Sequence, residues 1–255
     1  MDKKIEELAQ FHYGKTVSIV GNGPTLVTMP GKVEHYHRYR LYTTDRAKGI
    51  QKDINEYEQP RAVVRRLANH PNPLWTVNGG WTYHPESNVG FLMDDHRFHR
   101  AETHPQPEWY DNQMKIAKIP IITSMPYPEY PSLTPYPLKE VIKKFRTKYF
   151  GESIDYMVAL AGLFEVKKVV FYGCDYQLHD RFPGERAGTE YWIGRLEGIG
   201  IECDASPSQN LMKPSQWELQ YHPQFYGYGR DNFPYTDDEI NAFMRGEDYA
   251  ERKVG

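Results

Sequence analysis

"VSIVGNGPTL", Val17–Leu26, is an apolar, β-branched run that stops abruptly in Gly21-Asn22-Gly23-Pro24. Thr16–Val20 has the make-up of a buried strand. A Gly-Asn-Gly turn behind it marks the hand-over from strand to helix, where backbone N–H groups and the helix dipole favour an anion. Pro24 suits the first turn of that helix. A dinucleotide fingerprint would need a third glycine at residue 26 and an acidic residue closing the second strand. This chain has Leu26 and Val77-Asn78-Gly79-Gly80 instead, and no G-x-x-x-x-G-K-[ST] occurs. The stretch argues against an NAD site and a P-loop. It leaves two readings, a cradle for a nucleotide phosphate or a plain turn with no ligand.

Further apolar runs repeat the pattern of Val17–Val20. Leu74–Val77, Val89–Met93, "KIPIITS" (118–124), Lys168–Tyr172 and "GIECD" (200–204) predict five more strands, with helical patterns between them. A helix is expected over 3–12. Pro137 opens a second, in which Leu138, Val141, Ile142 and Phe145 recur at helical spacing. "SIDYMVALAGLF" (153–164) predicts a deeply packed helix with Ser153 as its N-cap. Thr236 and Glu239 form a capping-box pattern for a C-terminal helix at 236–250, with Tyr235 and Ile240 at the staple positions. Residues 31–72 show no clean periodicity; "GKVEHYHRYRLYTT" fits strand or loop. The alternation predicts an α/β fold, a single open, mostly parallel, Rossmann-like sheet with helices on both faces, as one domain across 1–255.

On that fold, polar residues fall together at the carboxyl ends of the strands: Asn78, Asp94, Asp95, Ser124 and Asp175. Ligands of open α/β sheets bind along that edge, at the switch in strand order. Each residue alone is an ordinary turn or cap, and their convergence carries more than any one of them.

With 255 residues, 39% of them hydrophobic, the chain can bury a substantial core, and a formal charge of −3 gives no global reason to favour nucleic acid. No run of eighteen apolar residues occurs, so no membrane span is expected, and "MDKKIEELAQF" does not read as a signal peptide. Two cysteines, Cys174 and Cys203, exclude a disulfide framework and a four-cysteine zinc site, and fit a reducing, cytoplasmic setting. The 20 tyrosines and 19 prolines concentrate in segments such as "SMPYPEYPSLTPYPL", whose rings can stack on a flat ligand or pack on the protein body; packing is the favoured role. "DDHRFHRAETH" sets His96, His99 and His104 beside two aspartates, a pattern in which a transition-metal site is imaginable, but the spacing matches neither H-E-x-x-H nor a zinc finger and reads as a polar loop. Lys143, Lys144, Arg146 and Lys148 read as a solvated helix face.

Two motifs together carry a resemblance. "VSIVGNGPTL", followed over a hundred residues later by "SIDYMVALAGLFEVKKVVFYGCDYQ", resembles the bacterial sialyltransferases of glycosyltransferase family 42. It is similar as well to the related superfamily of archaeal 6-hydroxymethyl-dihydropterin pyrophosphokinase and the motility-accessory proteins that glycosylate flagellin, which has phage-encoded members. The shared pattern is the glycine loop Gly21–Leu26, an Asn after the second strand, and a Ser-initiated helix leading to strand-G-x-D.

The resemblance implies a nucleotide site made of Gly21, Asn22, Gly23, Pro24 and Thr25 with Asn78, Asp94 or Asp95, Ser153 and Gly173. It implies Asp175 under the donor, Tyr176 as a hydroxyl for the departing phosphate and His179 as general base. The family's base lies well downstream of the G-x-D motif, whereas His179 follows Asp175 by four residues. The implied activity is transfer of a sugar from a nucleotide-activated donor, CMP- or UDP-linked, to an unidentified acceptor hydroxyl. The Tyr- and Pro-rich segments 125–137 and 221–235 would then wall the acceptor site. The alternative is Mg²⁺-dependent diphosphate transfer from ATP to a hydroxymethyl pterin-like compound, with Asp94, Asp95 and Asp175 as hard ligands. A third reading is a non-catalytic nucleotide-binding or structural protein. Whether the chain acts as a monomer or a homo-oligomer stays open.

Overall fold

Residues of alternating parity in the central strands are buried on opposite faces of one sheet, and that alternation explains why apolar residues fill most positions of the central strands. The computed structural model describes residues 2–21, 23, 37–38, 60–61, 70–82, 84, 86–94, 107–176, 182–208, 210–213 and 234–246. The strands are β1 (Thr16–Val20), β2 (His37–Arg38), β3 (Pro60–Arg61), β4 (Leu74–Val77), β5 (Ser87–Leu92), β6 (Ile121–Thr123), β7 (Leu133–Pro135), β8 (Lys168–Tyr172) and β9 (Glu202–Asp204). Seven form an open sheet in the order β7-β6-β5-β4-β1-β8-β9, and every neighbouring pair is parallel. β2 and β3 pair antiparallel as a separate two-residue ladder within 31–72; β2 falls in the stretch whose sequence fits strand or loop, and β3 in the part without clean periodicity.

Val17, Ile19, Trp75, Val77, Val89, Phe91, Ile122, Val169 and Phe171 face one side. Against them pack α1 (Lys3–His12), α3 (Leu138–Phe145), α4 (Ser153–Leu163) and α5 (Phe182–Glu197), through residues such as Ile5, Val141, Phe145, Met157, Leu160 and Trp192. On the other side, Leu92 and Ile121 meet Met114 of α2 (Pro107–Ile116), and Val20, Leu74, Val170 and Tyr172 form their own cluster. Helices therefore cover both faces. Parallel strands buried on both faces are expected to be continuously apolar, and each full burial of an aliphatic or aromatic side chain contributes about 1.5–3 kcal/mol.

α1 is pinned to the sheet by a hydrogen-bond relay. The Trp75 indole Nε1–H donates to His12 Nε2 at 3.0 Å, and His12 Nδ1 lies 2.7 Å from Leu8 O. That pattern requires the neutral imidazole with its proton on Nδ1. Burial pushes the His12 pKa down to about 4, in the same sense.

Contacts divide the chain into two compact units, Met1–Leu211 and Met212–Gly255. In the second, α6 (Asp237–Met244) begins with the expected capping box: Thr236 Oγ1 accepts from Glu239 N at 3.3 Å, and Glu239 Oε2 accepts from Thr236 N at 2.7 Å. Tyr235 packs edge-on against Phe243, with ring centroids 5.3 Å apart. No helix among the described residues is long and apolar enough to cross a membrane.

Two local expectations change. β7 has no counterpart among the expected strands, because a three-residue strand ending in Pro135 breaks the usual pattern; it is tolerated at the sheet's edge. The segment 124–132 joins β6 to β7, and its Tyr130 is buried with its hydroxyl on Asp111. Tyr136 is buried as well and donates to Tyr156 O at 3.0 Å. Both rings pack on the protein body. Secondly, Ser153 is the first residue of α4 and not its N-cap. Glu152 holds that position in extended conformation (φ −160°, ψ 177°), and Asp155 Oδ2 accepts from Gly151 N at 2.7 Å.

Candidate functional site

From β1 the chain builds outward through β4, β5, β6 and β7, then returns to lay β8 on the other flank of β1. The switch in strand order therefore lies between β1 and β8, where open α/β sheets form a crevice beyond their carboxyl ends. Two glycine-containing turns meet there. Gly21 N donates to Tyr172 O at 2.8 Å and Gly23 N to Gly173 O at 2.7 Å, so the pairing of β1 with β8 runs on past both strands.

This close approach is what demands glycine. A Cβ on Gly21 would stand 2.5 Å from Gly173 O and 3.0 Å from Gly173 C. A Cβ on Gly23 would stand 2.6 Å from Gly173 O and overlap the Asp175 carboxylate. Gly173 itself has φ +65°, a left-handed conformation natural to glycine. The N–H groups of Gly21 and Gly23 are thus committed to the carbonyls of Tyr172, at the end of β8, and of Gly173. The glycines fit the two turns together.

Asp175 is buried beside Gly23. Its carbonyl and that of Tyr176 accept from Asn210 Nδ2 at 2.9 and 3.3 Å, and Ser208 Oγ reaches Phe171 O at 3.3 Å. Residues after β9 thus strap the β8 turn in place. Tyr176 has φ +43°, unusual for a bulky residue and sustained only where surrounding contacts fix it. Its ring is buried; its hydroxyl bonds to Glu152 and lies 2.7 Å from Thr189 Oγ1. The hydroxyl that the resemblance assigns to a departing phosphate therefore has two protein partners.

On the adjoining strands, Asn78 (φ +50°) and Gly79 (φ +81°) turn the chain out of β4, and the Asn78 side chain is exposed. Asn78 N extends the ladder to Phe91 O at 2.9 Å. Asp94 is exposed beyond β5, and Ser124 Oγ ties the end of β6 to Met93 O at 2.7 Å. α4 precedes β8 in the chain and runs opposite to it, so its N-terminus, with buried Ser153, lies at this same edge and brings the positive end of its dipole. Four consecutive strand ends, β5, β4, β1 and β8, thus contribute Asp94, Asn78, Gly21 with Gly23, and Gly173 with Asp175 and Tyr176. Asn22, Pro24, Thr25, Asp95 and His179 lie outside the described residues, as do His96, His99 and His104.

No sequence motif signals the polar knot behind the β8 turn. Glu152 accepts from Tyr176, and Thr189 Oγ1 lies 2.8 Å from Glu152 Oε1 and 2.9 Å from Asp155 Oδ1. Burial pushes Glu152 up to about 7, against the lowering effect of the bonds from Tyr176 and Thr189; nearby Asp155 and Glu185 raise it further. Burial raises Asp155 as well.

The Mg²⁺ alternative meets a geometric difficulty. Asp94 and Asp175 end strands three spacings apart, about 14 Å at roughly 4.8 Å per strand, whereas Mg²⁺ holds its ligands at about 2.1 Å. The two do not fit one ion. Among the described residues no group of three or more His, Cys, Asp or Glu could hold a metal.

No family model matches the chain, and no curated protein matches it. Among solved structures, the sialyltransferase CstII from Campylobacter jejuni in complex with cytidine-5'-monophosphate is similar at 15% identity, covering 91% of this chain and 99% of that one, with a TM-score of 0.40. A structure of sialyltransferase Cst-II in complex with a trisaccharide acceptor and CMP is similar at 14% identity over the same shares, with a TM-score of 0.41.

Proposed function

We propose that the chain is a transferase of the glycosyltransferase kind, taking a sugar from a CMP-linked donor to an acceptor hydroxyl. The observation that carries this reading is the strand-order switch between β1 and β8, where open α/β sheets bind their ligands. There the Gly21–Gly23 and Gly173–Asp175 turns interlock, with Asn78 exposed on the next strand and the N-terminus of α4 alongside. The sequence resemblance implies that Asn22 and Asn78 contact the nucleotide, that Ser153 lies beside it, and that His179 removes the acceptor's proton; histidine titrates near neutral pH and suits that task. Tyr176, whose hydroxyl is held by Glu152 and Thr189, serves in this reading as part of the site's frame. Cys174 and Cys203 are free thiols, which supports a reducing, cytoplasmic setting.

A thermal-shift panel of CMP, UDP, GDP and ATP, each with and without Mg²⁺, tests the reading, since a ligand that binds only the folded state raises its stability. A shift with CMP that does not depend on Mg²⁺ is expected. A shift confined to ATP with Mg²⁺ would replace the reading with diphosphate transfer, and no shift with any nucleotide would overturn both.

A further inference from the structure

The knot behind the β8 turn contains more oxygen contacts than its hydroxyls have hydrogens. Thr189 Oγ1 approaches Tyr176 Oη at 2.7 Å, Glu152 Oε1 at 2.8 Å and Asp155 Oδ1 at 2.9 Å, and Tyr176 Oη bonds to Glu152 as well. Those are four oxygen–oxygen contacts. With both carboxyls ionised, each is an acceptor only, and the tyrosine and threonine supply one hydrogen apiece. Thr189 could then donate to one carboxylate while the other faced its lone pairs at hydrogen-bond distance. One more proton narrows the gap: a protonated Glu152 donates to Thr189, Thr189 donates to Asp155, and Tyr176 donates to Glu152, so every contact to a carboxyl holds a hydrogen and only the Tyr176–Thr189 approach is left without one.

Asp155 is suited to remain the anion, because its Oδ2 already accepts the Gly151 N–H at 2.7 Å. Among the described residues, the groups whose charge raises Glu152 are Asp155 on α4 and Glu185 on α5, both acidic; from the turn after β8, Cys174 and Tyr176 each feel its charge. Although Glu152 is the N-cap of α4, its side chain makes no capping bond. Its carboxyl is turned to Tyr176, the left-handed residue that ends the Gly173–Tyr176 turn, and that turn is the surface on which Gly21 and Gly23 rest.

We propose that Glu152 is a positioning residue for the crevice: it carries a proton that closes the bracket with Tyr176, Thr189 and Asp155 and so holds the Gly173–Tyr176 turn against the glycine loop. Its effect on ligand affinity rests on the nucleotide reading above; its proton does not. Burial, which holds the Glu152 pKa at about 7, agrees in sign. The raised folded-state value means that the proton is held below neutrality and lost above it. Ionisation then sets two carboxylates around a single threonine hydrogen and loosens the turn. Complete coupling would weaken CMP binding by up to about thirtyfold between about pH 6 and pH 8.5.

The test has two arms, applied to wild type, Glu152→Gln and Glu152→Ala, each first shown to melt cooperatively. In the first, the side-chain carboxyl carbons of the free protein are titrated by NMR, with the Glu152 resonance identified by its absence from Glu152→Gln. A midpoint near neutrality is expected, and a midpoint in the ordinary carboxylate range would overturn the proposal. In the second, CMP affinity is measured calorimetrically at both pH values. Glutamine shares the neutral charge of the acid and does not titrate, so Glu152→Gln should keep one affinity from low to high pH, nearer to wild type at low pH than at high pH. The phosphate of CMP titrates alike in every variant, and Glu152→Ala should bind weakly throughout. Wild type and Glu152→Gln changing in parallel with pH would refute the positioning role. If no variant binds CMP at either pH, the nucleotide reading falls and the positioning role with it, while the shared proton is decided by the first arm.

Discussion

Gly21→Ala is the substitution whose cost the structure defines most closely. The added methyl would stand 2.5 Å from Gly173 O, 3.0 Å from Gly173 C and 3.3 Å from Cys174 N, all backbone atoms. None can swing aside as a side chain would. Relief requires β1 and the β8 turn to separate, which stretches the 2.8 Å and 2.7 Å bonds from Gly21 and Gly23. Overpacking of this kind costs about 1–3 kcal/mol, and each of the two weakened hydrogen bonds about 1 kcal/mol, for a destabilisation of about 3–5 kcal/mol. At about 2–4 °C per kcal/mol for a domain of this size, the melting temperature should fall by roughly 6–20 °C. Gly194→Ala is the matched control: Gly194 lies in α5, and among the described residues a Cβ there meets nothing within 4 Å. Alanine's better helix propensity should stabilise it by about 1 kcal/mol. Thermal melts by circular dichroism compare the two. If Gly21→Ala melts within about 2 °C of wild type, the two turns do not interlock in this way.

Further outcomes follow from the same geometry. His84 is buried, its Nδ1 has no hydrogen-bond partner among the described residues, and burial lowers its pKa to about 4. The unfolded state therefore binds a proton between about pH 6.5 and 4 that the folded state refuses. The stability contribution is intact above about pH 6.5 and is lost as pH falls through that window. Urea denaturation of wild type and His84→Met should show the variant gaining by up to about 1.4 kcal/mol per pH unit on acidification, and a pH-independent difference would refute it. Asn78→Gly removes an exposed amide while glycine accepts φ +50° freely. It should keep the melting temperature and weaken CMP about tenfold by calorimetry; unchanged affinity would remove Asn78 from the site. His179→Ala should abolish sugar transfer in a donor-turnover assay while leaving CMP affinity unchanged, and full turnover would assign the base elsewhere.

Most of the sheet is legible in the amino-acid sequence. Val17–Val20 and Lys168–Tyr172 are strands buried on both faces, so their largely apolar runs, interrupted only by Ser18 and Lys168, mark them, and with Leu74–Val77 they place the strand-order switch. β7 is hidden by its length and by Pro135, which only an edge position permits. α5 is hidden because Gly184, Gly188 and Gly194 dilute its pattern. Gly188 has a tertiary reason: a Cβ there would run into the Asp155 carboxyl. The role of the glycine loop is half legible. Its need for glycine is evident, but the partner that imposes it, Gly173, lies some 150 residues away in the chain. Glu152 and Asn210 are invisible for a similar reason. Each acts through residues brought together by separate segments, and neither belongs to a local pattern.

Whether the crevice between β1 and β8 holds a nucleotide is decided by titrating ¹⁵N-labelled protein with CMP and following the assigned backbone amides. Shifts are expected to concentrate at the ends of β1, β4 and β8, at Gly21, Gly23, Asn78 and Gly173–Tyr176, and at Ser153. Shifts confined to other parts of the sheet, or no shifts at millimolar CMP, would contradict the nucleotide site.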